Sequence, residues 1–160
     1  MTTGHERFVL HPSVGAHWWL SSALHERAEL LRTRMYDGLA SAVVLEGFDV
    51  RVTQLILAGL QQGLRLTEEA RRLIEIDAQE EVEDLIGRRA LLVMPARELQ
   101  GPASTVVEAA GITTDDATYA VLAEALQRSL DVPLLVADRI LEDRLRSRAR
   151  LRVVWLGDYG

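Results

Sequence analysis

The sequence predicts an α/β protein, a three-layer α/β/α domain with a mostly parallel five-stranded sheet, and three observations carry that expectation. Five short apolar runs of four to six residues, Arg7 to Leu10, Ser41 to Leu45, Ala90 to Met94, Leu134 to Ala137 and Leu151 to Leu156, are spread along the chain. Longer stretches with apolar residues at helical spacing lie between them, and this alternation builds a parallel sheet because each parallel strand needs a crossover. The third observation is size. A chain of 160 residues that is 48% hydrophobic, with no repeat and no Pro/Gly/Ser linker, fits one domain over 1–160 that buries about 70% of its unfolded surface.

In order along the chain, RFVL at Arg7 to Leu10 is strand-like, and His11-Pro12-Ser13 breaks it and opens a helix through His17, Trp18, Trp19 and Leu20. A second helical pattern runs from about His25 to Met35, followed by the strand SAVVL at Ser41 to Leu45. Phe48 to Gln62 has helical spacing and stops at Gly63, and Thr67-Glu68-Glu69 opens the next helix. The charges of Glu68 to Asp84 lie at many angles around that helix, which reads as a solvated outer face. After the strand ALLVM, Pro95 leads into a helix to about Ala110, and the turn Gly111-Ile112 separates it from a helix over Asp115 to Leu130, capped by Thr113 or Thr114. Asp131-Val132-Pro133 ends that helix, Leu134 to Ala137 is the fourth strand, Arg139 to Arg148 a helix, and Leu151 to Leu156 the fifth strand. Residues 1–6 and 157–160 are expected to be loose termini.

Composition narrows the function classes. Eighteen basic against 24 acidic residues give a net charge of −6, which excludes coating of nucleic acid or an anionic membrane through bulk charge and leaves only local patches. No cysteine is present, so disulfides and thiolate metal sites are ruled out. Every basic residue other than histidine is arginine, a planar and permanently charged fork suited to carboxylate or phosphate. The absence of lysine and asparagine points to a GC-rich bacterial genome. No apolar run approaches the roughly 20 residues of a membrane span, and Met1 to Arg7 lacks the apolar stretch of a secretory signal, so the expected compartment is the cytoplasm.

In an open parallel sheet the ligand crevice lies at the carboxyl ends of the strands. That rule selects His11, directly after the first strand, and Asp138, directly after the fourth. Asp115 and Asp116 open the helix that leads into the fourth strand and reach the same end of the sheet. Acids gathered there suit a hard divalent cation such as Mg²⁺ and the activation of water for phosphodiester hydrolysis. The plainer assignments are helix-terminal ones: Asp115 and Asp116 in a first turn, and Asp138 as an N-cap.

The run from Thr114-Asp115-Asp116-Ala117-Thr118-Tyr119 to Leu126, followed by Val132-Pro133-Leu134-Leu135-Val136-Ala137-Asp138-Arg139, resembles the C-terminal half of PIN domains, where a "YDALYLALAE" helix precedes a "PLVTADRRL" strand and turn. Phe8 to Leu20 is similar to that family's opening "VVVDASVAVKWLL". The resemblance covers roughly residues 7 to 156 and implies a PIN-like fold. It further implies a metal-dependent ribonuclease site of four acids, as in VapC-like toxins. Asp116 and Asp138 fall on two of those acids. The first-strand acid falls on His11, and the acid of the "YEVANAL" helix falls on Arg51 when Gly63 serves as anchor. Ser13 keeps the serine two places after the first acid, and Val136 replaces the threonine of "TAD".

Two of four acids are therefore replaced, one of them by a positive charge. Crowded carboxylates need a neutralising cation, and a guanidinium at Arg51 paired with Asp116 or Asp138 would stand in the metal's place. Glu46 and Asp49 are substitute acids, although Asp49 lies two places from Arg51 and points about 200° away on a helix. The expected function is thus a PIN-like protein with a degenerate nuclease site that binds RNA or a small, antitoxin-like protein partner, with weak or no catalysis and no cofactor. The alternatives are a toxin-type endoribonuclease holding Mg²⁺ or Mn²⁺ on Asp116 and Asp138, and a non-catalytic scaffold or oligomerisation module. A homo-oligomer such as a dimer is expected. Six arginines lie between 139 and 152, and Arg144, Arg146 and Arg148 are the candidates for RNA phosphates, a solvated helix face being the plainer reading. Trp18-Trp19 suits base stacking or, more simply, the core, and His5, His17 and His25 show no metal-ligand spacing.

Overall fold

The computed structural model describes residues 4–62 and 65–160. Five strands alternate with helices: β1 Glu6–Leu10, α1 Pro12–Ala16, α2 His25–Tyr36, β2 Ala40–Leu45, α3 Phe48–Gln61, α4 Glu68–Gly87, β3 Leu91–Met94, α5 Gln100–Ala110, α6 Thr114–Gln127, β4 Leu134–Val136, α7 Arg139–Leu145 and β5 Val153–Trp155. The strands form one all-parallel sheet in the order β3-β2-β1-β4-β5. The chain thus winds outward from β1 through β2 to β3, crosses back, and winds the other way through β4 to β5. With right-handed crossovers this puts the helices before β3 on one face and those after it on the other, with the direction reversing between β1 and β4. The contacts agree: α2 packs on β2, α4 on β3, α6 on β1 and β4, and α7 on β4 and β5.

The central strands are near-continuous apolar runs because both of their faces are covered. Val9, Leu10, Val44, Leu134, Leu135 and Val136 are fully buried and meet Leu31, Ile56, Leu85 and Leu145 from the helices. The register pairs Val9 with Leu134 and Leu10 with Leu135, so β1 and β4 end side by side.

Helix ends follow capping chemistry. Thr67 accepts from Ala70 N–H, Thr113 from Asp116 N–H and Asp138 from Leu141 N–H, each closing the first turn of its helix. At the end of α4, Ala90 N–H bonds to the Leu85 carbonyl and Arg89 N–H to that of Ile86, with Arg89 left-handed at φ 61°. This is a Schellman closure with an arginine where glycine is usual, a choice that costs roughly 1 kcal/mol.

Several boundaries differ from the sequence expectation. The helix after β1 stops at Ala16 rather than running through Leu20. Its last turn tightens to i→i−3 bonds, from Trp18 N–H to the Gly15 carbonyl and Trp19 N–H to that of Ala16. The two indoles then diverge: Trp18 is core and donates to the Ala28 carbonyl, whereas Trp19 donates to Asp77. The helix expected over Arg139 to Arg148 ends at Leu145, and that over Asp115 to Leu130 ends at Gln127. The termini are not loose at their inner ends. Glu6 is already in β1 and pairs with Arg34, while Tyr159 is buried edge-on against Phe8 at 5.7 Å with its carbonyl held by Arg27. Among the described residues no helix is long and apolar enough to cross a membrane.

Candidate functional site at the sheet reversal

The point between β1 and β4 where the winding reverses is where the crevice rule places a ligand, and His11 stands there. Its backbone N–H extends the ladder to the Leu135 carbonyl at 3.1 Å, and its side chain caps α1. The Ser13 backbone N–H donates to His11 Nδ1 at 3.1 Å. Because Nδ1 is thereby an acceptor, the Ser13 hydroxyl, 2.8 Å from it, donates to the ring while its oxygen accepts from Ala137 N–H at 2.9 Å. With Nδ1 accepting from both, the hydrogen bonds assign the proton to Nε2, which donates to Asp116 Oδ1 at 2.7 Å. A chain of bonds therefore runs from Asp116 on α6 through His11 and Ser13 to the backbone just after β4.

Asp116 reaches this corner because α6 opens on the Thr113 cap, which sets its first turn against the end of β1. Burial alone would push its carboxyl up. The hydrogen bond and field of His11, the Thr113 hydroxyl and the Arg51 charge outweigh that and hold it below the usual 3.8. One turn further along α6, Tyr119 lies edge-to-face on the His11 ring at 5.4 Å, and its phenol oxygen accepts from Leu45 N–H at 3.2 Å, with burial pushing its pKa up. The corner thus ties together the ends of β1, β2 and β4. Tyr119 is the residue that sequence reasoning missed, and its signal was the i+3 spacing from Asp116, which puts both on one helix face.

Carboxylate, imidazole and hydroxyl in series suggest an activated serine, but the geometry argues against one. Ser13 is buried, its oxygen is occupied by a backbone donor, and its proton already points at the ring. The chain of bonds fastens rather than reacts. It also faces any cation approaching Asp116 with an N–H donor. Among the described residues no three His, Asp or Glu side chains are grouped as metal ligands.

The remaining sequence candidates separate into three sets. Asp138 is exposed and caps α7 through Oδ1 to Leu141 N–H at 3.1 Å, with no hydrogen bond to Asp116. Arg51, Glu46 and Asp115 line an adjacent cleft of about 320 Å³ together with Gln54, Gln100 and Tyr119. The expected pairing of Arg51 with Asp116 or Asp138 is replaced by a different arrangement. Arg51 donates to Gln54 at 3.3 Å, one turn along its own helix, while His11 takes the Asp116 carboxylate and Arg51 acts there only through its charge. Gly63, the anchor of that alignment, lies outside the described residues.

The RNA-binding candidates form the third set. Arg144 holds the Gly111 carbonyl, Arg146 pairs with Glu142 and Asp143, and Arg148 makes a two-pronged contact with Glu124. Arg139 also binds Glu142 and stacks on Trp155, and Arg152 meets Asp131. Of the six arginines only Arg150 has no carboxylate or carbonyl partner among the described residues. No protein-family model matches the chain, and no curated protein matches it.

Proposed function

We propose that this chain is a PIN-like domain whose nuclease corner is degenerate, and that it acts by binding a protein partner, with weak or no catalysis. The observation that carries the reading is the bond from His11 Nε2–H to Asp116. Where a metal nuclease of this type would gather acids, a protein donor occupies the carboxylate, and the second acid, Asp138, serves as a helix cap. The strand order and the winding reversal at this corner agree with the resemblance carried by residues 114–141 and 8–20. A protein partner is favoured over RNA because the arginines of 139–152 are largely neutralised by the chain's own carboxylates and the net charge is −6.

The test is RNA cleavage with Mg²⁺ or Mn²⁺, comparing the natural chain with Asp116→Asn. The reading expects no Asp116-dependent cleavage and no stabilisation of the fold by millimolar Mg²⁺. Cleavage by the natural chain that Asp116→Asn abolishes would establish the divalent-metal endoribonuclease instead, with Asp116 and Asp138 as ligands. RNA binding that falls steeply with salt and is lost on joint replacement of Arg144 and Arg146 would reverse the preference for a protein partner.

A further inference from the structure

The cleft beside the His11 corner holds more hydrogen-bonding capacity than the chain itself uses. It lies at the carboxyl edge of the sheet, between the end of β2 and the starts of α3, α5 and α6, and its volume of about 320 Å³ is enough for a small molecule. Arg51 brings a permanent positive charge into it. Its one hydrogen bond among the described residues runs from Nη1 to Gln54, and in that resting pose its Nε is buried without a partner. Tyr119 lines the same cleft and is 4% exposed; its hydroxyl oxygen accepts from Leu45 N–H, and no acceptor among the described residues takes the hydroxyl proton. Buried donors left open in this way mark the place of an acceptor that the chain does not supply.

Negative charge lines the same space without meeting Arg51. Glu46, directly after β2, and Asp115, in the first turn of α6, both border the cleft, and among the described residues neither forms an ion pair. The balance of charge decides the class of ligand. A plain anion such as phosphate would gain Arg51 and be repelled by two carboxylates, whereas a plain cation would gain the carboxylates and be repelled by Arg51. A molecule that carries one charge of each sign a short distance apart satisfies both. The rest of the wall is apolar, with Leu45, Val50 and Ala96 beside the Tyr119 ring, so the uncharged part of the ligand is aliphatic.

We propose that this cleft binds a small zwitterion, a free α-amino acid with an aliphatic side chain. Its carboxylate draws the Arg51 guanidinium off Gln54 and accepts from it and from the Tyr119 hydroxyl, its ammonium donates to Glu46 and Asp115, and its side chain lies against Val50 and Ala96. None of these contacts uses the His11–Asp116 bond or a metal. Binding is measured with no RNA, metal or protein partner present, so its failure leaves the reading of the corner untouched.

The test is calorimetric titration of the full natural chain at neutral pH with L-valine and L-leucine, beside leucinamide, which lacks the carboxylate, and N-acetyl-leucine, which lacks the ammonium. Saturable binding of a free amino acid is expected with a Kd of about 1 mM or tighter, and each blocked form should bind at least about tenfold more weakly. Arg51→Met should lower the affinity for the free amino acid by on the order of tenfold or more, and so should Glu46→Gln combined with Asp115→Asn. Melts of the unliganded variants show whether each is folded, and where one is not, the blocked ligands decide the matter on the natural chain. No saturable binding of either amino acid would overturn the proposal. So would a blocked form that binds as tightly as the free one, or a folded Arg51→Met chain with unchanged affinity.

Discussion

Replacing His11 by alanine removes a side chain that bridges α1, α6 and the end of β1, and the structure sets the size of the effect. The lost bond to the half-buried Asp116 carboxylate, 2.7 Å long, belongs to the charged class worth about 1.5–3 kcal/mol. The lost cap on Ser13 N–H adds about 1 kcal/mol. Removal of a ring that is only 3% exposed and packed on Tyr119 adds a cavity, bringing the total to roughly 3–5 kcal/mol. For a chain of 160 residues that corresponds to a drop of about 6–20 °C in Tm. Thermal and urea melts at pH 7 measure it, and the double-mutant cycle with Asp116→Asn isolates the pair. The two changes together should cost at least about 1 kcal/mol less than their sum. A loss below about 1 kcal/mol for His11→Ala, or strict additivity in the cycle, would show that the chain of bonds does not hold the corner.

The acid side of the stability curve should report Asp116. Its folded pKa is depressed, so its contribution is present above the usual 3.8 and lost as pH falls through the lower folded value; the gap between natural and Asp116→Asn melts should be widest at neutral pH and close as the medium becomes more acidic than that lower value. Joint His11→Asp and Arg51→Glu should return acids to the corner. That variant should melt lower without metal and gain about 2.7 kcal/mol when Mg²⁺ stands at 100 times its Kd, seen as a Tm shift that calcium-free chelator reverses. Gly15→Ala should cost about 1–3 kcal/mol in urea melts, because a Cβ at position 15 would lie 2.9 Å from Val52 Cγ2 and 3.1 Å from Phe48 Cζ, where α1 crosses α3.

What could be read from the sequence was what local chemistry decides. The five strands, the helices between them and the caps at Thr67, Thr113 and Asp138 are all set within a few residues, and they were legible as apolar runs and capping residues. The crevice rule also placed His11 and Asp138 at one end of the sheet, and the helix that Asp116 opens brought that residue to the same end. Their bond was not legible, since it joins residues 105 positions apart and depends on which ring nitrogen Ser13 occupies. For Arg51 the alignment gave a position but no direction, and a guanidinium on a long stem can turn to Gln54 as easily as to a carboxylate. The arginines of 139–152 were half legible: Glu142 and Asp143 sit among them in the sequence, whereas Glu124 comes from another helix. Tyr159 gave no signal, because a single aromatic in a polar tail shows its burial only once Phe8 is beside it.

The order of the strands also has a consequence during synthesis. β1 takes β2 as its first neighbour within a short stretch of chain, but its other neighbour, β4, is made about 125 residues later than Val9. Until then the nascent β3-β2-β1 sheet ends in the apolar strand Phe8 to Leu10 with an open row of backbone donors and acceptors, and its far face waits for α5 and α6. Pairings this distant close slowly. A ribosome-bound chain stalled before residue 134 should therefore engage hold-and-release chaperones, and one stalled well past β5 should let them go.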